Sequence, residues 1–416
     1  MKGQVRPGYK QTEVGVIPED WAELTFGYLY AEPSRNGIYK TSVFHGRGTR
    51  IVNMGEMFGF EFISDQEMSR VELTNRERSV CVLQDGDLLF GRRSVVPAGA
   101  GKCSLVVSPS ESITFESSII RARLDKTKTH PRYYYYFFAS PAGRSVVGTI
   151  VSGTNIKGIR ATELKELIVP LPSKAEQEAI AEALRDADAL IESLEQLLTK
   201  KRHLKQGAMQ ELLNGKKRLP GFGGEWEARK LGDVIEKFVG GGTPSRSNAH
   251  YWGDEIPWVT VKDFATFDPL CSQEAITRAG LHNSATHLIP RGTLITSTRM
   301  ALGKAVIYEV DVAINQDLKA LFPRPVLDTN YLFFWFQYHG KSIDELGSGS
   351  TVKGISLPDL KKIEFQLPPC PEQRAISSTL SDMDAEIADL ETQLTKTRTL
   401  KQGMMHKLLT GEIRLL

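Results

Sequence analysis

The sequence is poor in cysteine and has no long apolar run. Its four cysteines, Cys81, Cys103, Cys271 and Cys370, lie far apart and form no Cys-x-x-Cys pair. This spacing argues against a disulfide framework and against a cysteine zinc site. No apolar stretch approaches the roughly 20 residues that span a membrane, and the N-terminal residues lack the apolar core of a signal peptide. We therefore expect a cytoplasmic protein in a reducing compartment, with no membrane partner.

A strong excess of charge of one sign is also missing. The formal net charge is +2 over 416 residues, and 41% of the residues are apolar. This composition is typical of a soluble globular protein with an ample core, and the length suggests two or three domains. A nucleic-acid site is compatible with these values only as a local patch, not as a wholly basic domain.

Motifs that would carry catalysis are absent as well. The stretch nearest to a phosphate-binding loop, Val96 to Cys103, has valine where its first glycine belongs and cysteine where its metal-binding hydroxyl belongs. The glycine run 238–242 resembles a methyltransferase loop, but no Asn/Asp-Pro-Pro-Tyr/Phe motif accompanies it. Pro358-Asp359 is better explained as a helix cap than as a nuclease site. The sequence therefore predicts a chain that binds no catalytic metal or cofactor and is not itself an enzyme.

What the sequence does contain is an internal repeat at an offset of 196 residues. Lys157-Gly158-Ile159 returns as Lys353-Gly354-Ile355, since 353 − 157 = 196. The same offset carries Glu176-Gln177 onto Glu372-Gln373, and 204–207 onto 400–403. Each copy follows a variable region, so the chain is predicted to be two half-molecules of related fold. We place the boundaries at 1–152, 153–219, 220–348 and 349–416.

Each repeat contains a long helix with a narrow apolar seam at steps of four and three residues. The seam residues are Ile180, Leu184, Ile191, Leu194 and Leu198 in the first copy, and Ile376, Leu380, Ile387, Leu390 and Leu394 in the second. This heptad spacing is typical of a coiled coil. After Leu198 we expect the seam to shift to Leu204, Ala208 and Leu212. Gly215 and Gly411 are expected to end the two helices.

The charges of the two helices predict how they pair. The first half of each helix is acidic and the second half is basic. Antiparallel pairing sets acid against base along the whole length, whereas parallel pairing would set like charges together. We therefore predict an α+β protein in which two similar globular domains are joined by an antiparallel coiled coil. The internal repeat then implies a pseudo-twofold axis.

The variable regions carry basic and polar clusters that could contact DNA. Arginine can read guanine edges, and hydroxyl and backbone N–H groups can contact phosphates. The candidates are Arg35, Asn36, Lys40, Arg47, Arg92, Arg93 and Lys102 in the first region, and Thr243, Ser245, Arg246, Lys262, Arg299, Lys304 and Lys319 in the second. For any single residue the alternative is a solvated loop or turn. The aromatic runs 133–138 and 331–336 could stack on bases, but packing in a core is the preferred interpretation.

This layout resembles the specificity subunit of type I restriction-modification systems. The resemblance rests on the duplicated Lys-Gly-Ile, Leu-Pro and Glu-Gln unit with its long helix, on the stretch 241–259, and on Asn315-Gln316-Asp317. In the first variable region Glu116 stands about where an Asn-Gln is expected. The resemblance covers nearly the whole chain and assigns the two variable regions as target-recognition domains.

The resemblance implies a non-catalytic DNA reader. Each target-recognition domain would bind one half of a split, asymmetric double-stranded DNA sequence. Two methyltransferase (M) subunits that modify adenine N6 would dock on the coiled coil and bring S-adenosylmethionine, and restriction (R) subunits would join them. ATP and Mg²⁺ are likewise expected on partner subunits. The long helices would set the gap between the two halves, with half-site centres about 10 bp apart.

Two alternatives remain open at this stage. The chain could serve a related system whose partner is a fused methyltransferase and nuclease, or it could be a coiled-coil scaffold that binds only proteins. The genes that neighbour its own would test the first alternative. A salt-dependent shift in DNA binding would exclude the second.

Overall fold

The computed structural model describes residues 6–96, 99–348 and 353–415. The chain divides into two compact units: unit 1 is Met1–Glu195 with Gln393–Leu416, and unit 2 is Gln196–Thr392. The four sequence segments stay a prediction, since contacts group the chain differently and each long helix contributes to both units. The start of the second repeated motif, Gly349 to Val352, lies outside the described residues.

Unit 1 contains fourteen strands among its described residues, and most of them are short. The strands are β1 (Tyr9–Thr12), β2 (Gly15–Pro18), β3 (Ala22–Thr25), β4 (Tyr30–Asn36), β5 (His45–Val52), β6 (Phe62–Ile63), β7 (Arg70–Val71), β8 (Leu88–Gly91), β9 (Arg93–Ser94), β10 (Cys103–Val106), β11 (Ile113–Phe115), β12 (Ile119–Leu124), β13 (Lys157–Gly158) and β14 (Ile168–Leu171). The helices are α1 (Met54–Gly59), α2 (Asn75–Cys81), α3 (Pro131–Ala139), α4 (Pro141–Gly148), α5 (Ala161–Leu164) and α6 (Lys174–Leu212), the last of which continues into unit 2.

The strands of unit 1 form two main sheets, and helix α3 supplies the core beside the larger one. The larger sheet has the order β4-β12-β8-β10-β6, and the smaller has the order β11-β5-β7. The six aromatic side chains of α3, Tyr133 to Phe138, are all buried. The preference for core packing over base stacking is therefore confirmed for this run, because a side chain sealed in the core cannot meet a base.

Unit 2 is built to the same plan. Its strands are β15 (Glu227–Lys230), β16 (Ile235–Gly240), β17 (Trp252–Val259), β18 (Ala275–Ile276), β19 (Leu288–Ile289), β20 (Leu294–Ser297), β21 (Ala305–Ile307), β22 (Val312–Ile314), β23 (Leu318–Pro323) and β24 (Glu364–Leu367). Its helices are α7 (Leu231–Val234), α8 (Arg278–His282), α9 (Thr329–Glu345), α10 (Leu357–Lys362) and α11 (Cys370–Leu409), the last of which continues into unit 1. Two four-stranded sheets, β16-β23-β20-β21 and β18-β17-β22-β19, hold the core together with the aromatic helix α9.

The repeated Glu-Gln pair explains how a long helix is fixed to the domain at its start. Glu176 is fully buried and accepts a hydrogen bond from Trp21 Nε1 at 3.0 Å, while Arg414 contacts the same carboxylate. In unit 2, Glu372 has the same two kinds of partner, Trp226 Nε1 at 3.2 Å and Arg218. Arg414 also pairs with the exposed Asp20, and this hydrogen bond lowers the pKa of that carboxyl.

The glutamine of the pair holds the aromatic helix. The side-chain oxygen of Gln177 accepts from the backbone N–H of His130, immediately before α3, at 2.9 Å. Gln373 repeats this contact with Asp328, immediately before α9, at 2.7 Å. In each copy the glutamine Nε2 donates to a proline carbonyl five residues earlier. Two side chains of the repeat therefore satisfy backbone and indole groups that would be costly to bury alone.

Within each unit the two long helices run antiparallel and are joined by ion pairs, as the sequence predicts. In unit 1, Asp188 contacts Lys401, and Glu195 lies 2.5 Å from Arg398. In unit 2, Asp384 lies 2.5 Å from Lys205, and Glu391 lies 2.6 Å from Arg202. Each acid of one copy thus faces a base of the other copy, so the predicted antiparallel coiled coil is confirmed.

Burial along the seam falls into three groups. Ile180, Leu184, Ile376 and Leu380 are fully or almost fully buried and belong to the domain cores. Ile191, Leu194, Ile387 and Leu390 are half-buried, and Leu198 and Leu394 are each 7% exposed. The expected passage of the seam to Leu204 is wrong, because this side chain is 51% exposed while Lys205 contacts Asp384. Its expected continuation at Ala208 and Leu212 is confirmed, because Leu212 is 6% exposed and Ala208 packs against the same core.

A helix lies where an apolar run of the first variable region predicts a strand. The run Ser79 to Leu83 by itself is typical of a short strand, yet helix α2 occupies Asn75–Cys81. The side chain of Thr74 accepts from the backbone N–H of Glu77 at 3.2 Å, and Glu77 accepts from the backbone N–H of Thr74 at 2.8 Å. This reciprocal cap starts a helix that the apolar run alone does not indicate. Gly215 and Gly411 have positive φ of 63° and 70° and follow the long helices as predicted.

Candidate nucleic-acid interface

A glycine packed tightly against a strand end begins the polar loop of each unit. In unit 1 the backbone N–H of Ile38 donates to Phe115 O at 2.9 Å, and in unit 2 that of Gly242 donates to Ile314 O at 3.0 Å. A Cβ placed on Gly37 would lie 2.2 Å from Phe115 O, and one on Gly241 would lie 1.8 Å from Ile314 O. Both positions therefore require glycine because of close approach to backbone.

These contacts align the two units residue by residue. The backbone N–H of Glu116 donates to Val52 O, and that of Asn315 donates to Val259 O, both at 3.0 Å. Glu116 therefore occupies the place of Asn315, as the sequence comparison suggested. Their side chains act differently: the Glu116 carboxylate accepts from Met54 N at 2.8 Å, whereas the Asn315 carbonyl oxygen accepts from Asp317 N at 3.1 Å. The two units therefore share these backbone hydrogen bonds but differ in the side chain at this position and in its contacts.

Most basic candidates of unit 1 already have protein partners. Lys40 lies 2.7 Å from Glu77, and Arg47 lies 2.8 Å from Glu72. Lys102 donates to Phe58 O at 2.8 Å, and burial lowers its pKa. Arg92 is half-buried, and its guanidinium reaches Ser117 O at 3.4 Å. The exposed candidates are Arg35, Asn36 and Arg93, together with the outer part of Arg47.

Two sets of side-chain contacts hold several of the unit 2 candidates. In the first, Thr243 donates to the side-chain oxygen of Gln316 at 2.8 Å, and Lys319 donates to Gln316 O at 3.2 Å. Burial lowers the pKa of Lys319. In the second, Arg246 pairs with Glu274 through both carboxylate oxygens and stacks over Trp252, with the guanidinium carbon 3.8 Å from the ring centroid. The Arg246 side-chain hydrogen bond lowers the pKa of Glu274.

The remaining candidates of unit 2 lie on its surface. Ser245, Lys262 and Lys304 are exposed, and Ser245 shares a hydrogen bond of 2.9 Å with Ser247. Arg299 is 58% exposed, with its nearest carboxylate, Asp317, at 3.6 Å. Contacts with Gln316 and its neighbour Asp317 therefore bring Thr243, Lys319 and Arg299 together. Gln316, which bridges Thr243 and Lys319, was not among the candidates, although it stands inside the quoted motif 315–317.

An arginine of each variable region is joined to the repeated Lys-Gly-Ile segment. Arg93 pairs with Gly158 between strands β9 and β13, and Arg299 forms an isolated antiparallel bridge with Gly354. The amide after each glycine donates to the variable region: Ile159 N to Arg92 O, and Ile355 N to Thr298 O, both at 3.0 Å. The counterpart of Arg299 is therefore Arg93, not Arg92. Sequence reasoning also missed Lys157 and Arg160, which lie beside this joint.

Every helix of the described ranges is too short or too polar to cross a bilayer. The model of the type I restriction modification DNA specificity domain matches the chain twice, over residues 44–200 and 223–398. These two matches cover most of each variable region and most of each copy of the repeat.

Individual relatives agree with the domain matches. A Methanocaldococcus jannaschii chain, provisionally named a type I restriction enzyme MjaX specificity subunit, is 26% identical over 98% of this chain and 96% of its own length. The MjaIX specificity subunit of the same organism is 28% identical over 41% of this chain and 40% of its own length. The crystal structure of a type I restriction-modification S subunit from M. genitalium superposes with a TM-score of 0.58, at 16% identity, over 94% of this chain and 96% of that one.

Proposed function

This chain belongs to the type I restriction modification DNA specificity family and is a specificity subunit, and from that premise we propose that it reads a bipartite, asymmetric double-stranded DNA target. Each unit would bind one half. This proposal rests on one observation: the two units share a backbone arrangement but differ in the side chains on it. Gly37 and Gly241 make the same close approach to backbone, whereas the side chains of Glu116 and Asn315 make different hydrogen bonds. Two modules of one fold and unlike surfaces suit two unlike half-sites.

The proposed partners follow from the family. Two adenine-N6 methyltransferase (M) subunits and the restriction (R) subunits would be directed to the target by this chain, in the cytoplasm. S-adenosylmethionine, ATP and Mg²⁺ would be bound by those partners, and this chain would be non-catalytic. Methyl transfer by the purified chain without partners would contradict this assignment.

Methylome sequencing of the host with and without the gene tests the proposed function directly. The expected result is one split, asymmetric motif that is methylated on adenine only when the gene is present. A continuous palindromic motif, or no change in the methylome, would contradict the proposal.

Arg299→Ala is expected to weaken binding to one half of the target, or relax its sequence preference, and leave the other half unchanged. Arg93→Ala should do the same to the opposite half, because the two residues occupy equivalent joints in different units. Loss of a bidentate base contact is worth about 1–3 kcal/mol. Competition with duplexes in which one half-site is scrambled measures each effect. If either variant weakened binding to both half-sites equally, or relaxed the sequence preference at both, the assignment of one half to each unit would be wrong.

A further inference from the structure

A cleft of unit 1 is lined by cations from two different sources. Arg92 and Arg93 come from the variable region, whereas Lys157 and Arg160 come from the repeated segment. Its other lining residues are Ser152, Ile156, Gly158 and Ile159. None of these eight described residues is a carboxylate, so the cleft concentrates positive charge on a chain whose net charge is only +2.

The backbone holds the repeated segment firmly against the variable region. Ser152 and Gly158 exchange two hydrogen bonds, of 3.0 and 2.9 Å. A Cβ on Gly158 would lie 2.9 Å from Arg92 O, so glycine permits the close approach of the two segments. Lys157 donates to Gly153 O at 2.7 Å, which fixes its ammonium group while leaving further N–H donors. The cations are therefore presented by an ordered segment.

Few carboxylates neutralise the cations of this cleft. Arg160, whose side chain is 74% exposed, has Glu163 at 3.3 Å. Among the described residues, no ion pair joins Arg92, Arg93 or Lys157 to a carboxylate. The second copy differs, because Lys353 lies 2.7 Å from Asp344 and Arg299 lies 3.6 Å from Asp317. The positive field of this joint is thus stronger in unit 1.

We propose that Lys157 and Arg160 bind the DNA phosphate backbone beside the half-site read by unit 1, as a contact independent of base sequence. This inference rests on the proposed function. Lys157 recurs as Lys353 in the other unit, so it cannot distinguish two different half-sites. Arg160, which aligns with Ser356, adds a further cation in unit 1. The group that every half-site shares is the phosphodiester, which lysine and arginine neutralise with release of counterions.

The test is the salt dependence of DNA binding by the full chain together with the subunits that co-purify with it. For Lys157→Ala, the slope of log Kobs against log salt concentration should become shallower by about 0.9, the value expected for one lost phosphate contact. Affinity should fall by the same factor for target and unrelated duplexes, and the target preference should be unchanged. Lys157→Arg should retain the wild-type slope, because it keeps the charge.

Lys165→Ala is the matched control for net charge, since Lys165 lies outside the cleft and pairs with Glu166 at 3.3 Å. Its slope should equal that of the wild type. An unchanged slope in Lys157→Ala, or a changed half-site preference, would overturn the inference. Calorimetric binding of inorganic phosphate that Lys157→Ala abolishes would assign the cleft to a free anion instead. If the proposed function itself were wrong, the wild-type assembly would show no preferred duplex. That outcome can be distinguished from failure of the phosphate contact alone.

Discussion

Glu372→Ala is expected to lower the free energy of unfolding of unit 2 by about 3 kcal/mol. The carboxylate is fully buried, and its loss leaves the Trp226 indole N–H and the Arg218 guanidinium without their acceptor. Breaking a buried pair by removing one partner costs about 3–5 kcal/mol. We take the lower end because the Arg218 side chain is 21% exposed and retains two backbone carbonyl partners.

The repeat offers a matched variant and a control for this prediction. Glu176→Ala should have the same effect in unit 1, where Trp21 and Arg414 lose their shared acceptor. Asp20→Asn removes only the exposed partner of Arg414 and should cost less than about 1 kcal/mol. Hydrogen exchange with mass spectrometry reports each unit separately, and the loss of protection should be confined to the unit that carries the alanine. Equal costs for Asp20→Asn and Glu176→Ala would contradict this account of the repeated Glu-Gln pair.

Gly241→Ala is expected to abolish recognition of one half-site while the protein stays folded. The added Cβ would lie 1.8 Å from Ile314 O, so the loop must move and the hydrogen bond from Gly242 N to that oxygen must lengthen or break. That loop carries Thr243, which contacts Gln316. Overpacking of this kind costs about 1–3 kcal/mol of stability. We expect affinity for the intact target to fall at least about tenfold, which corresponds to about 1.4 kcal/mol.

Gly37→Ala is the equivalent change in unit 1, with a Cβ 2.2 Å from Phe115 O, and should affect the opposite half-site. Gly55→Ala and Gly207→Ala are controls, because a Cβ at either position meets nothing within 4 Å. Binding to duplexes with one scrambled half-site separates the two effects, and thermal unfolding checks that the variants fold. Retention of both half-site preferences in Gly241→Ala would show that the loop after Gly241 does not read DNA.

The repeat, the long helices and their antiparallel pairing could be predicted because they depend on patterns within the sequence itself. The apolar seam and the acid-to-base gradient each occur twice, and they leave one favourable arrangement. The exposure of Leu204 could not be predicted, because it accompanies a contact of Lys205 with Asp384 that the heptad spacing does not indicate.

The partners of the basic residues at the candidate site could not be predicted from the sequence. Whether Lys40 or Arg246 is available depends on Glu77 and Glu274, which are distant in sequence and carry no signal of pairing. Helix α2 depends on its capping residues, Thr74 and Glu77, which precede most of the apolar run and are not part of its pattern. Lys157 lies in the repeated segment, outside the variable regions that contain all the predicted DNA contacts.

The ion pairs between the long helices also indicate how the chain arose. Asp188 with Lys401 and Asp384 with Lys205 are the same contact made twice, and each time it joins one copy of the repeat to the other. That is the contact pattern of a homodimer of half-length chains, in which an acid of each chain meets the equivalent base of its twin. Gene duplication and fusion would preserve this pattern and then allow the two copies to diverge in sequence. Lys201 lies 2.5 Å from Glu386, for example, whereas the corresponding residues of the other copies are Thr397 and Leu190, which cannot form an ion pair. Under the proposed function, fusion would permit what a homodimer cannot achieve, two halves that evolve toward different sequences of DNA.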